Sequence, residues 1–350
     1  MTEGSVHTAL KARVDRVLRD FVRQEADLLL DIDERLAPVA EQLETATLHG
    51  KRLRAAFCYW GWRAAGQPDS DALVRAAASM ELVHAAAVVH DDLIDASSIR
   101  HGLPTAHRAL RAVTSEGPRP KAAARWLAML VGDLLMSWAG QLFTNCGLPA
   151  AYLSRARPAW AVLARELVAG ECLEILRTGR PPDTDTSLKV IRYKTAKYTV
   201  EHPLHIGGLL AGARGGLLEA YSDYGLPLGE AFQLRDDLLG LFGDPARTGK
   251  ANADDLIARR PTALLAQTWQ SASAAEREEL TRLLGRRDLD EDGVGRVREI
   301  MHGAGAPARI EAMIAERIAV AAAVLHDTDL PPEAGRALSH LAQAATARRH

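Results

Sequence analysis

Hydrophobic residues in this 350-residue chain recur mainly at spacings of three and four, and the alternating pattern typical of strands is scarce. The abundant alanine, leucine, arginine and glutamate are strong helix formers. Glycine and proline divide the pattern into long segments, interrupted by a polar stretch at 96–119 and another at 243–253. We therefore predict helices over residues 8–36, 50–65, 70–95, 120–145, 150–178, 186–213, 216–242, 262–271, 274–285, 290–303, 307–327 and 331–347.

Long helices joined by short links, without a low-complexity linker or a fixed-period repeat, predict an all-α helical bundle. Because no composition shift divides the chain, we expect residues 1–350 to form a single domain. Binding sites in such bundles are built from polar side chains on facing helices. Polar residues inside the apolar segments are therefore the first candidates for a functional site.

Composition limits the classes of partner. The formal net charge is −2, without the basic excess that nucleic-acid binding requires. Neither a signal-peptide pattern nor an uncharged apolar run long enough for a bilayer is apparent, which predicts no membrane span. Cys58, Cys146 and Cys172 are far apart and lack CxxC spacing, so we expect reduced, buried thiols and a cytoplasmic protein.

The predicted helix that ends near residue 95 carries a cluster of carboxylates. One of its faces, at spacings of 3, 4, 7 and 11, holds His84, Ala87, Val88, Asp91 and Asp95. Asp91 and Asp95 project side by side, with Asp92 beside them. Their like charges repel each other, and the dipole at this end of the helix also opposes negative charge. A divalent cation would relieve both penalties, and hard carboxylate oxygens favour Mg²⁺. The alternative is a solvated acidic helix end.

A second helix carries Asp236 and Asp237 near its end. Two such clusters facing each other with metal ions between them would clamp a diphosphate. Basic residues, each of which is otherwise a solvated surface group, add anion-binding capacity at Lys51, Arg52, Arg54, Arg100, His101, Lys194, Arg259 and Arg260.

The motifs that carry a resemblance are Gly50-Lys51-Arg52-Leu53-Arg54, Glu81-Leu82-Val83-His84, His90-Asp91-Asp92-Leu93-Ile94-Asp95 with Arg100, Gly102, Pro104 and Thr105, Gly132-Asp133, Lys194-Thr195-Ala196-Lys197-Tyr198, Phe232-Gln233-Leu234-Arg235-Asp236-Asp237, and Phe242-Gly243-Asp244-Pro245 with Thr248-Gly249-Lys250. In the order and spacing of these motifs the chain resembles the polyprenyl synthetase family, from about residue 15 to residue 330.

The resemblance implies an isoprenoid synthase fold, a helical bundle around a deep central cavity, in a homodimer that joins isopentenyl diphosphate to an allylic diphosphate. It implies that Asp91 and Asp95 hold two Mg²⁺ ions and Asp236 a third, with Asp92 and Asp237 completing the catalytic carboxylates. The allylic diphosphate would be held by Arg100, Lys194, Thr195, Gln233 and Lys250, with Arg260 a further basic candidate. Isopentenyl diphosphate would be bound by Lys51, Arg54 and His84.

The chain departs from the family pattern at three positions. His101 stands where the family usually has a second arginine, and imidazole is a weaker and pH-dependent diphosphate ligand. Gly240 replaces the last aspartate of the second cluster, and Gly170-Glu171 replaces the usual Gly-Gln. Of the roles that the resemblance implies, the binding of isopentenyl diphosphate is the one that these changes affect.

Product length is expected to depend on the residues one turn below Asp91, because a turn advances about 5.4 Å, close to one isoprene unit. Ala86 and Ala87 are small there, which favours a C20 geranylgeranyl product over farnesyl diphosphate, with products of C25 and above as the alternative. Two other functions stay open. A class I terpene cyclase would not need Lys51, Arg54 and His84, and a non-catalytic partner subunit would commonly lack the aspartate clusters.

Overall fold

A computed structural model describes residues 3–243, 254–285 and 289–346. The helices are α1 (Glu3–Ile32), α2 (Ala37–Thr47), α3 (Leu53–Ala64), α4 (Asp71–Ile94), α5 (Ala106–Ala109), α6 (Arg111–Thr114), α7 (Pro120–Thr144), α8 (Ala150–Arg177), α9 (Thr184–Val190), α10 (His202–Ala211), α11 (Gly215–Phe242), α12 (Asp254–Ile257), α13 (Ala263–Ser271), α14 (Ala274–Leu284), α15 (Glu291–Gly303), α16 (Ala306–Asp327) and α17 (Pro332–Thr346). A π-helical segment, Ile191–Glu201, joins α9 to α10, and strands β1 (Ile99–Arg100) and β2 (Leu103–Pro104) pair as a hairpin.

Eleven of the twelve predicted helices are present as single helices, with most ends within a few residues of the prediction, and the twelfth, 186–213, is divided into α9, the π segment and α10. Capping explains several of the starts. The Ser70 side chain accepts a hydrogen bond from the Leu73 amide, and Ser273 with Glu276 forms a capping box at the start of α14. The prediction missed α2, α12, the short hairpin and the two one-turn helices within the stretch 96–119.

Contacts within the chain divide it into two compact units, Met1–Arg157 with Ile206–Ala213, and Pro158–His205 with Arg214–His350. The single domain expected from the sequence stays a prediction. In the first unit α4 packs along α7 and against α1 and α3. A Cβ at Gly132 would lie 2.2 Å from His90 Nε2, so this glycine lets the His90 ring lie on α7.

The second unit is built around α11, which packs against α16 and the π segment. Its core contains buried Leu234 and Leu238 of α11 together with Ile310 and Ile314 of α16. On its other side, α11 approaches the π segment through Gly229, where a Cβ would lie 2.4 Å from Ala196 Cα. Only glycine permits this approach, because any larger side chain would overlap the facing backbone.

Two helices in the described part of the chain have the length and apolar character of a membrane span. Helix α4 has a mean hydropathy of 1.5 and α7 of 1.3, with 72% and 44% of their apolar stretches buried within the protein. Core helices of soluble proteins share these properties, so no membrane span is established. The prediction that the protein lacks a membrane span stays a prediction.

The cysteines follow the sequence prediction only in part. Cys58 and Cys146 are buried, whereas Cys172 is exposed on α8, so the prediction of three buried thiols was wrong for this residue. Its neighbours Val168, Ile175 and Leu176 are exposed too, because they lie on the same exposed face of α8.

Burial of His107 predicts a pH-dependent stability. Desolvation, followed by Arg108, Arg125 and Arg111, lowers the pKa of this imidazole from 6.5 to about 4. The unfolded chain therefore binds more protons between these values, so the free energy of unfolding is greatest above pH 6.5 and falls as the pH falls toward 4. With allowance for solvent screening, acidification from pH 7 to pH 5 should cost the wild type roughly 1 to 2 kcal/mol more than His107→Gln, measured by urea unfolding. The exposed His326→Gln is the control, and equal pH dependence of both variants would contradict the assignment.

Candidate functional site

The first carboxylate cluster lies at the end of α4, in the first unit. Asp91 is in the last turn, and Asp95 is the C-cap residue, with its backbone N–H bonded to the Asp91 carbonyl. The stripe predicted from the sequence is confirmed: the five residues from His84 to Asp95 that share this face are all partly exposed, between mostly buried neighbours. Asp91 and Asp95 are therefore accessible from one side of α4.

Asp92 points away from that stripe and is paired with Arg100. The Arg100 Nε donates to Asp92 Oδ1 at 3.0 Å, and the Asp92 side chain is 6% exposed. The same guanidinium lies 3.8 Å from Asp91 Oδ2. Asp92 thus holds Arg100 beside Asp91, which puts a cation next to a predicted metal ligand.

Of the two cations predicted to bind isopentenyl diphosphate, Arg54 lies close enough to His84 to lower the pKa of its imidazole. Arg54 is buried near the start of α3, and Lys51 is exposed just before it. Burial, followed by the charges of Arg54, Arg100, Arg52 and His101, lowers the pKa of His84 well below its ordinary value. The imidazole is therefore neutral, and its surroundings carry a positive potential suited to an anion.

The hairpin presents His101 at its tip. Ile99 pairs with Pro104 and Arg100 with Leu103, which leaves His101 and Gly102 as a two-residue loop. Both have positive φ, 52° and 78°, as a type I′ turn requires. Histidine tolerates this conformation better than most residues with side chains.

The proposed chain-length residues differ in exposure. Ala86 is fully buried, whereas Ala87 is partly exposed on the same stripe as Asp91. Of the two, Ala87 is the one whose side chain reaches the accessible face of α4.

In the second unit, a hydrogen-bonded chain leads from the π segment to the second carboxylate cluster. Thr195 Oγ1 donates to Gln233 Oε1 at 2.9 Å, and Gln233 Nε2 donates to Asp237 Oδ1 at 2.8 Å. This fixes the orientation of the Gln233 amide. Asp236 lies beside Asp237 and is partly exposed, as a metal ligand must be.

Asp237 is surrounded by other carboxylates. Its burial, followed by the negative charges of Asp255, Asp236 and Glu174, raises the pKa of this carboxyl well above its ordinary value. The hydrogen bond from Gln233 acts in the opposite direction and is outweighed. The cluster therefore carries negative charge that a bound cation would compensate.

Lys194 lies between two glutamates of α8. Its Nζ is 2.8 Å from Glu171 Oε2 and 2.5 Å from Glu174 Oε2. Arg260 is within 3.8 Å of Glu174 and 3.3 Å of Asp255 Oδ1. Lys194 and Arg260 are therefore brought together with these carboxylates, and their predicted roles in substrate binding stay predictions. Lys250, the remaining predicted ligand, lies outside the described residues.

Residues 37–301 match the sequence profile of the polyprenyl synthetase family. The chain belongs to the polyprenyl synthetase family. It is similar to the (2E,6E)-farnesyl diphosphate synthase of Mycobacterium tuberculosis, with 34% identity over 244 residues, which cover 69% of this chain and 60% of that protein. It is also similar to the geranylgeranyl diphosphate synthase of the same organism, with 31% identity over 296 residues covering 84% of this chain and 80% of that protein.

The fold agrees with that of a solved family structure. The geranylgeranyl pyrophosphate synthase of Corynebacterium glutamicum, complexed with isoprenyl diphosphate and magnesium, superimposes with a TM-score of 0.89. The two sequences are 33% identical, and the match covers 96% of this chain and 99% of that one. The chain therefore has the all-α isoprenoid synthase fold. It spans about 60% of the length of the curated farnesyl diphosphate synthase.

The donor atoms of these clusters fit Mg²⁺. Asp91, Asp95 and Asp236 offer partly exposed, hard carboxylate oxygens, and these are the ligands that Mg²⁺ takes together with water and substrate phosphates. The raised pKa of Asp237 independently marks an excess of negative charge beside Asp236. Roles for the individual ligands stay predictions.

Sequence reasoning missed two carboxylates of this site, Glu174 and Asp255. Glu174 follows Glu171 by three residues, a spacing that places both on one helical face and was available as a signal. Asp255 lies in the short helix α12, and its Oδ2 would be 3.4 Å from a Cβ at Gly240. Only the packing of α12 against α11 brings it there, so the sequence carried no comparable signal.

Proposed function

We propose that this chain is a trans-prenyl diphosphate synthase, which condenses isopentenyl diphosphate head-to-tail with an allylic diphosphate. The observation that carries the proposal is the retention of both carboxylate clusters, together with cations that are held by carboxylates in each unit. Arg100 lies against Asp92 and near Asp91, and Lys194 lies between Glu171 and Glu174. Carboxylates for metal and fixed cations for phosphate are what ionisation of an allylic diphosphate requires.

Bound Mg²⁺, three ions in our proposal, would neutralise the charge that develops on the departing diphosphate. Asp91 and Asp95 would hold two of the ions and Asp236 the third. Arg100 and Lys194 would contact the diphosphate oxygens, and Thr195 would support Gln233 through its hydrogen bond. Positioned charges of this kind stabilise a leaving anion without reorganising during the reaction.

The chemistry then needs no nucleophilic side chain. The allylic C–O bond breaks, the C=C of isopentenyl diphosphate attacks the allylic cation, and the released diphosphate accepts the proton that restores a double bond. Lys51, Arg54 and neutral His84 would hold isopentenyl diphosphate for that attack. Water must be excluded, because it would trap the cation.

We propose C20 geranylgeranyl diphosphate as the product. The support is the small side chain of Ala87, which lies one turn below Asp91 on the accessible face of α4. A farnesyl product or one of C25 and above are the alternatives, and the two curated relatives named above themselves differ in product. Homodimer formation and a cytoplasmic location are part of the same proposal.

The test is to incubate the purified protein with Mg²⁺, isopentenyl diphosphate and, in turn, dimethylallyl, geranyl and farnesyl diphosphate. The products are dephosphorylated and sized, and we expect linear alcohols ending at C20. Cyclic hydrocarbons would favour a terpene cyclase, and turnover only after a second polypeptide is added would favour the partner-subunit function. Either result would overturn the proposal. Ala87→Phe should shorten the product, whereas Ala78→Val, a buried change in α4 two turns further from Asp91, should leave product length unchanged.

A further inference from the structure

The π segment Ile191–Glu201, which carries Lys194 and Thr195, is long for its type. Backbone of this kind is rare and occurs mostly as single turns inside α-helices, whereas this segment contains 11 residues. At its end the His202 backbone N–H donates to the Lys197 carbonyl, five residues back. A run of this length needs support from the elements packed against it.

Helix α11 packs against the segment through two glycines whose spacing suits the wider turn. A Cβ at Gly229 would lie 2.4 Å from Ala196 Cα, and a Cβ at Gly225 would lie 3.0 Å from Glu201 Cα. The two glycines are four residues apart, about one α-helical turn, whereas their partners on the segment are five residues apart. One turn of α11 is therefore matched to one turn of the π segment, and an α-helical register would disturb this fit.

Lys197 joins the same turn to α8. Its Nζ lies 3.0 Å from Glu166 Oε2 and 3.3 Å from Glu201 Oε2, and it is 5.4 Å from the centroid of the Tyr193 ring. Burial acts to lower the pKa of this ammonium group, but the hydrogen bond to Glu166 and the charges of both glutamates outweigh burial and raise the pKa. Lys197 is therefore a charged bridge between α8 and the end of the segment.

Both carboxylates of the bridge are held by further contacts. His202 Nε2 donates to Glu166 Oε2 at 2.8 Å, and Ser222 of α11 donates from its Oγ to Glu201 Oε1 at 2.8 Å. Burial acts to raise the pKa of the Glu166 carboxyl, but the hydrogen bonds from Lys197 and His202 outweigh burial and lower the pKa. Lys197 is thus bound between two fixed anions.

The bridge lies one turn from Lys194. Glu166 stands four residues before Gly170, so α8 meets the segment at Lys197 through the first and at Lys194 through the second. We propose that Lys197 is a positioning residue, which holds the π register that presents Lys194 and Thr195 to the allylic diphosphate. The inference rests on the proposed function, in which Lys194 contacts that diphosphate. Without the bridge, an α-helical register would turn both side chains away from their present directions.

The test compares Lys197→Met, which keeps the length of the side chain but removes its charge, with Lys197→Arg, which keeps the charge and the bridge. We expect Lys197→Met to lower kcat about tenfold and to raise the KM of the allylic diphosphate, because the groups that hold the diphosphate are displaced. The KM of isopentenyl diphosphate should change by less than about twofold, since its proposed ligands lie in the first unit. Lys197→Arg should restore the wild-type kcat and both KM values.

A second measurement needs no turnover. The dissociation constant of inorganic diphosphate in the presence of Mg²⁺, measured by calorimetry, should rise about tenfold in Lys197→Met and stay unchanged in Lys197→Arg. This result in a protein that forms no prenyl product would refute only the synthase function. The two claims can therefore fail separately.

Lys189→Met, which changes an exposed lysine on α9, is the matched control and should behave as the wild type. The double variant Lys197→Met/Glu166→Gln removes the bridge without changing the net charge, and replacing both partners of a largely buried pair preserves the fold better than removing one. Urea unfolding is followed for all variants, and the double variant replaces Lys197→Met if the latter does not fold. We expect the double variant to remain impaired.

Three results would overturn the proposal. The first is wild-type kcat and diphosphate affinity in folded Lys197→Met. The second is an equal rise of the KM values of both substrates, which would indicate a general structural loss. The third is full recovery in the double variant, which would show that the charge of Lys197 acts on the diphosphate without positioning the segment.

Discussion

Replacing Asp91 by alanine is expected to lower turnover on the order of a thousandfold. The change removes a carboxylate from the accessible stripe of α4, and with it several kcal/mol of stabilisation of the departing diphosphate, at about 1.4 kcal/mol for each tenfold. Because Asp91 is partly exposed, the fold should tolerate its removal. The measurement is the rate of linear product formation at saturating Mg²⁺, with thermal unfolding followed in parallel.

The matched control is Asp223→Ala, an exposed aspartate on α11 outside both clusters. It should keep the wild-type rate. A wild-type rate in Asp91→Ala would show that the first cluster holds no essential metal ion. An unfolded variant would be replaced by Asp91→Asn, which keeps the shape of the side chain but weakens the ligand.

Replacing Gly170 by alanine is expected to lower kcat about a hundredfold and to destabilise the second unit. The added Cβ would lie 2.4 Å from Lys194 N and 2.7 Å from its Cα, so the backbone that carries Lys194 must move. Overpacking of this kind costs about 1–3 kcal/mol, and a shift of about 1 Å in a positioned group costs about a hundredfold in rate. Steady-state kinetics and urea unfolding measure both effects.

Gly229→Ala tests the packing of the π segment on the side that faces α11, because the added Cβ would lie 2.4 Å from Ala196 Cα. Gly295→Ala in α15 is the control: its Cβ would have no neighbour within 4 Å, and alanine favours the helix. If Gly170→Ala retained wild-type kcat and stability, the position of Lys194 would not depend on the close packing of its backbone against Gly170.

The helices were predictable from the sequence for a local reason. Amphipathic spacing, capping residues such as Ser70 and Ser273, and glycine or proline at the ends act within a few neighbouring residues. The π segment was not predictable in this way, because Ile191–Glu201 continues the helical pattern of the segment 186–213. Its widened turns pack between Gly170 of α8 and Gly229 of α11, and such segments are frequent at functional sites.

The site, like the fold, has features that follow from local sequence and features that follow from tertiary packing. The sequence alone determined that Asp91 and Asp95 share a face with His84, because residues three and four apart on a helix are neighbours wherever the helix lies. Only the tertiary structure decided which side chains meet: Lys194 with Glu174, Asp237 with Asp255, and His49 with His101. These partners are far apart in the chain or on different elements. Their distances depend on how helices pack and turns are fixed, and helical periodicity within one segment carries no information about that packing.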